Sequence, residues 1–173
     1  MFIRFLHALF STRDRATGDL PAVQDFQLDR YLGKWYEIAR LPHWFEEGMS
    51  EVTAEYTRLD GGRIRVVNRG MRDGRAREIS GVAKLKGDPG TGELRVSFFR
   101  PFYADYRIIE LDPEYSCALV TGARRDFFWI LSRTPVIADE LLRQKVEHAR
   151  HCGFPVEKLI FPKIPIKNIM FPV

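Results

Sequence analysis

Between Gly33 and Arg133 apolar and polar residues alternate in short runs, each closed by turn-forming residues. The runs span 34–41, 52–59, 63–70, 75–86, 93–99, 104–112, 115–122 and 127–133. They are separated by Asp60-Gly61-Gly62, Arg72-Asp73-Gly74, the stretch 87–92, Asp112-Pro113 and the stretch 122–126. These residue types supply positive φ, a preset φ or side-chain-to-backbone bonds, which is what tight turns require. A period of two puts successive side chains on opposite faces, so each run predicts a half-buried strand. In the third run Arg63, Arg65 and Arg69 interleave with Ile64, Val66 and Asn68, giving one wet face and one apolar face. In the fifth, Leu94, Val96 and Phe98 alternate with Glu93, Arg95 and Ser97. Eight strands joined by tight loops, with no strand–helix–strand spacing, predict an all-β, antiparallel up-and-down β-barrel.

One helix follows. Leu142, Val146, Ala149 and Cys152 recur at helical spacing, Thr134-Pro135 offers a cap-like start, and Gly153 with Pro155 ends it. This C-terminal α-helix is expected to pack outside the barrel. The apolar run 156–161 predicts a further short edge strand, and the proline-rich stretch beyond it an extended tail. The resulting division is an N-terminal segment over 1–24, the barrel with its helix over 25–161, and the tail over 162–173.

Composition narrows the function classes. At 173 residues the chain predicts one domain, large enough for one core or for a core hollowed around a ligand. With 45% hydrophobic and 29% charged residues, disorder, collagen and coiled coil are excluded. A net charge of +4 is too small to argue for nucleic acid. Cys117 and Cys152, the two cysteines, make neither a disulfide scaffold nor, unaided, a zinc site, so no metal and no cofactor is expected. No run approaches the ~20 apolar residues of a spanning helix. Arg4 and His7 interrupt the apolar start, and no cysteine lies just after it, so neither a clear signal peptide nor a lipid-attachment site is read there. Phe2, Ile3, Leu6, Leu9 and Phe10 instead suit a short interfacial helix or a frayed start. The unusual number is 13% aromatic residues, thirteen of them Phe, rings that must fill a core or line a cavity.

Gly33-Lys34-Trp35-Tyr36 opens the first strand after a short turn over 28–32, Leu111-Asp112-Pro113 lies between the sixth and seventh, and Leu131-Ser132-Arg133 ends the eighth. Three such motifs in order within this meander resemble the lipocalins. The stretches around Trp35, Val96-Ser97-Phe98-Phe99 and Trp129 are similar to the bacterial group related to apolipoprotein D. Asp112 stands in a departure from the family's more usual threonine-aspartate-tyrosine. The resemblance implies that Gly33, Trp35, Asp112 and Arg133 close one end, with the Arg133 guanidinium lying over the Trp35 ring. It also implies a lumen holding a lipid, such as a fatty acid or lysophospholipid, for binding, storage or transport linked to membrane maintenance. The implied setting is periplasmic or outer-membrane-associated, as a monomer or weak homodimer.

Alternation assigns the lining to Ala39, Ala54, Tyr56, Val66, Asn68, Ala83, Val96, Phe98, Tyr106, Ile108 and Trp129. Asn68, Tyr56 and Tyr106 could bond a head-group oxygen; ordinary barrel packing is the alternative. Trp44, Phe45 and Met49 fall in the loop at the open mouth, suited to gating the entrance or touching a membrane, or to folding over the rim. Two other function classes stay open: an isomerase-type enzyme using Cys117, and a membrane-associated interaction or chaperone protein acting through the mouth loop and N-terminal segment. Against the enzyme, inward Ala118 and Val120 would turn Cys117 outward, and no Ser/His/Asp set falls in the lumen. His148 and His151, three apart on the helix, have no matching carboxylate–cysteine cluster.

Overall fold

The structure, a computed structural model, describes residues 16–162. The expected N-terminal interfacial helix or frayed start, and most of the expected C-terminal tail, therefore lie outside the described residues. Within them, a helical turn α1 (Leu28–Tyr31) leads into strands β1 (Gly33–Arg40), β2 (Ser50–Arg58), β3 (Arg63–Arg72), β4 (Arg75–Leu85), β5 (Glu93–Phe99), β6 (Phe102–Leu111), β7 (Cys117–Thr121) and β8 (Phe128–Ser132). Each strand pairs antiparallel with the next, and β1 also pairs with β8, which closes the barrel and removes both sheet edges.

Register decides which residues face in. Trp35 opposes Ala54, Ala54 opposes Asn68, Tyr56 opposes Val66, Ala83 opposes Val96, and Leu94 opposes Tyr106. The inward rows form one apolar cluster around Trp35, Tyr56, Ile64, Val66, Leu94, Ile108, Val120 and Leu131. A second cluster lies on the outer face of β1, β7 and β8, where Ile38, Leu119, Phe128 and Ile130 meet Ala149 and Phe154. It is covered by helix α2 (Asp139–His151).

α2 begins at Asp139, several residues after Thr134-Pro135. Thr134 spends its hydroxyl on the Val136 carbonyl, and Asp139 and Glu140 place negative charge in the first turn, where the helix dipole favours it. Gly153 follows the helix at φ +81°, the left-handed conformation a terminating glycine supplies. The run 156–161 forms a 3₁₀ turn (Val156–Lys158) and one bridge in place of a strand. Arg40 and Ile160 exchange backbone hydrogen bonds of 3.0 and 2.8 Å.

Candidate functional site: the barrel lumen

The closed end is built from the three sequence motifs. Arg133 lies 3.9 Å above the Trp35 ring and donates to the carbonyls of Arg30, Tyr31, Lys34 and Tyr115 at 2.7–3.2 Å. Gly33 sits at φ +94°, and a Cβ there would meet the Arg133 guanidinium at 3.4 Å. Glycine adopts that backbone without the strain an L side chain would meet there. Asp112 accepts from the Ser116 and Cys117 amides and the Ser116 hydroxyl at 2.6–2.7 Å, and these bonds hold its carboxyl below the ordinary range against the opposing effect of burial.

Above Trp35 the floor is a chain of phenols. Tyr31 from α1 and Tyr106 from β6 have hydroxyls 2.6 Å apart, and Tyr56 donates to Tyr106 at 2.9 Å. Burial raises all three hydroxyls, Tyr56 to about 12, so they stay protonated. Tyr56 and Tyr106 are thus already bonded to one another and to Tyr31.

The walls above this floor are inward-facing yet not all buried. Val66, Ala83, Val96, Ile108 and Tyr56 are covered by neighbours. Ala54, Asn68, Phe98, Tyr106 and Trp129 face the same interior and remain partly accessible. Side chains that point into a closed barrel but keep exposed surface line open space. The Asn68 Oδ1 has no hydrogen-bond partner there.

Ala39 does not join this lining. A β-bulge falls between Glu37 and Ala39, so Ala39 opposes Ile130 on the outer face and packs beneath α2 with Ile38 and Leu41. A bulge adds one residue to a strand and reverses the faces beyond it. The expectation of an inward Ala39 is corrected accordingly, and two charged residues take the interior instead: Glu37 opposes Leu131, and Arg40 opposes Trp129.

Glu37 and Arg40 anchor a buried polar cluster under the mouth that alternation did not reveal. Arg40 donates to Glu37 Oε1 at 2.5 Å and to the Glu46 and Met49 carbonyls at 2.8 and 3.1 Å. The second carboxylate, Glu46 Oε2, receives the Trp129 indole N–H at 3.3 Å and lies 3.4 Å from His43 Nε2. Burial, reinforced by Glu46, pushes the Glu37 carboxyl up to about 8. Burial raises Glu46 as well. Burial and Arg40 lower His43 to about 4, which keeps its ring neutral.

The mouth loop is therefore latched from inside. Its 3₁₀ turn (Trp44–Glu46) rests on Arg40 through Glu46 and Met49, and Arg72 of β3 holds the Phe45 carbonyl at 2.9 Å. His43 stacks on Phe45 and on Phe127, at 4.9 and 5.3 Å between centroids, and tilts against Trp129 at 4.8 Å. Phe45 and Met49 are half-buried, folded onto the rim; the Trp44 side chain lies outside the described set.

Cys117 is buried on the outer face, opposite Ser132 and beneath α2. Burial pushes its thiol up to about 11, the reverse of what a thiolate nucleophile needs. Cys152 packs against the same cluster, and both are free thiols. His148 bonds Glu110 and His151 the Glu147 carbonyl; among the described residues no group of three metal-ligating side chains assembles.

A family model described as a lipocalin-like domain matches residues 26–164. The chain belongs to the lipocalins. Its relatives include outer membrane lipoprotein Blc of Citrobacter freundii, 50% identical over 148 residues and covering 84% of each chain. Blc of Escherichia coli K12 is 46% identical over the same share. Mouse apolipoprotein D is 32% identical over 174 residues, 92% of this chain and 91% of its own. This lipocalin therefore falls in the bacterial group related to apolipoprotein D. Among solved structures, insecticyanin from the tobacco hornworm Manduca sexta superposes with a TM-score of 0.71 over 86% of each chain, at 21% identity. Lipocalins bind small hydrophobic ligands.

Proposed function

We propose that this lipocalin binds and carries a single-chain lipid, of the fatty acid or lysophospholipid class, in its lumen. The observation that carries the reading is the set of inward side chains, Ala54, Phe98, Tyr106 and Trp129, that keep accessible surface above a sealed aromatic floor. Each acyl methylene buried against them contributes at most ~0.8 kcal/mol, offset in part by the cost of ordering the chain. No catalytic step is assigned, because the candidate nucleophile, Cys117, faces away from the lumen.

The ligand is exchanged, on this reading, with a membrane surface. Phe99 and Phe102 flank the β5–β6 turn at the open end and are 44% and 40% exposed, next to Arg100. Apolar rings beside a cation suit the headgroup region of a bilayer. The likeness to proteins named outer membrane lipoproteins supports that setting.

The test is titration of delipidated protein with dodecanoate and with a lysophospholipid, reading tryptophan emission. Saturable binding of one molecule per chain, lost in Ala54→Phe, is expected. Absence of saturation for both lipids, in protein whose circular dichroism is intact, overturns the carrier reading.

A further inference from the structure

We propose that a groove on the outer wall of β3, β4 and β5 binds the phosphate of an anionic membrane lipid. The protein then docks on a bilayer through a headgroup site separate from its lumen. This rests on the membrane setting above and adds the chemistry of the lipid recognised.

The groove arises from unequal strand lengths. Val82 opposes Ser97, so β5 ends two residues later at Phe99, while residues 75–79 of β4 run on paired with β3. At this step, near the open end, Arg65, Ser80, Val82, Ser97 and Arg100 line a groove of about 290 Å³. That volume suits a headgroup and not a whole lipid. Arg65 opposes Val82 and Val82 opposes Ser97, a single cross-strand row. Ile64 and Val66 take the inward positions of β3, so the row faces out.

The first argument is a covered hydroxyl. Ser97 is 3% exposed, and its Oγ has no hydrogen-bond partner. A covered hydroxyl is costly unless it is bonded, and its row neighbour Val82 has nothing to offer it. An anion oxygen in the groove would accept its proton. The exposed Ser80 hydroxyl supplies a second donor.

The second argument is charge. Among the described residues Arg65 and Arg100 have no hydrogen bond or ion pair, so both guanidinium forks are available. The acids of this wall are engaged elsewhere. Glu55 and Glu78 hold Arg69, and Asp105 holds Lys86 at 3.1 Å and faces Arg95 at 3.7 Å. The next row toward the closed end is Arg63, Lys84 and Arg95, with Asp60 in the adjoining turn. Two forks and two hydroxyls match the several acceptor oxygens of a phosphate.

The third argument fixes the source. Phe99 follows Ser97 by two residues and opposes Phe102 across the β5–β6 turn, and the two rings are 44% and 40% exposed. A free ion has no use for exposed rings. A lipid phosphate lies at the depth where apolar rings and cations meet a bilayer.

The experiment is co-sedimentation with vesicles of phosphatidylcholine, alone or mixed with phosphatidylglycerol. Dodecanol, titrated by tryptophan emission, reports the lumen separately. The mixed vesicles are expected to bind at least about tenfold more tightly. Arg65→Gln and Arg100→Gln should each weaken that binding about fivefold. Arg143→Gln removes the same charge from α2, across the barrel, and should change it less than about twofold. Ser97→Ala alters no charge and should weaken it at least about threefold. All four variants should keep dodecanol affinity within about twofold. Equal losses in the three arginine variants, or full binding by Ser97→Ala, reduce the effect to general electrostatics and overturn the proposal. Binding that survives these changes but is lost in Phe102→Ser overturns the phosphate site and leaves the membrane setting standing. Saturable binding of inorganic phosphate without vesicle binding overturns the lipid source. Absence of vesicle binding overturns both the site and the membrane setting, while saturable dodecanol binding leaves the carrier reading intact.

Discussion

Replacing Arg133 by alanine tests whether the closed end is held as the geometry states. The guanidinium makes four hydrogen bonds and one ring contact. The bonds to the Arg30 and Lys34 carbonyls lie at the exposed edge, where water replaces a lost donor at little cost. Those to the Tyr31 and Tyr115 carbonyls are half-buried, worth about 1 kcal/mol each once the cost of burying the charge is discounted. The cation over Trp35 adds about 1 kcal/mol. Arg133→Ala should therefore lower stability by about 3 kcal/mol, given additive contributions of this size. Arg133→Lys keeps the charge but loses the fork, and should fall about midway. Urea unfolding, followed by far-ultraviolet circular dichroism and tryptophan emission, reads both. Because Arg133 lies on the far side of Trp35 from the lumen, dodecanol affinity of the folded variant should stay within about threefold. A loss below about 0.5 kcal/mol for Arg133→Ala would refute the clamp. So would a lysine variant no better than alanine, since it would deny the ring contact any share.

The Glu37 contribution to stability should fall as pH rises from about 4.5 to about 8, while His43, lowered to about 4, works the other way up to about 6.5, so the fall shows most clearly between about 6.5 and 8. In that window unfolded chains release the Glu37 proton while the folded protein keeps it, so the unfolded state gains from each step upward. Glu37→Gln should flatten this slope in urea titrations across the same range, and an unchanged slope would count against the buried neutral acid. Ala39→Phe and Ala54→Phe form a matched pair for the bulge. Ala39→Phe should overpack the seat of α2, at about 1–3 kcal/mol, and leave dodecanol binding intact; Ala54→Phe should block binding with a smaller loss of stability. The reverse pattern would put Ala39 back in the lumen.

Much of the barrel was legible because its information is local. Period-two alternation and turn chemistry recur every 8–12 residues, and the observed strands begin and end within a few residues of the runs that predicted them. The closed end was legible for a different reason. Gly33, Trp35 and Arg133 each answer to one geometric demand, a positive φ, a plug and a fork, that few other residues meet. The phenol chain was half legible: alternation turns Tyr56 and Tyr106 inward, but Tyr31 arrives from α1, whose approach to the floor no strand pattern encodes.

The polar cluster shows where such reading stops. Counting by twos from inward Trp35 already turns Glu37 inward, against the bias of its type toward solvent. The same count turns Arg40 outward. One extra residue in β1 brings Arg40 to the same face, and a bulge leaves no mark in composition. What the chain does carry is a contradiction: a charge at Glu37 on the face of Trp35, and an apolar pair, Ile38-Ala39, where alternation calls for one polar position. Each violation alone would be a local fault. Both are resolved by one bulge, which moves Ala39 under α2 and brings a partner to Glu37. A break in alternation flanked by opposite charges three residues apart is thus a readable sign of an interior ion pair.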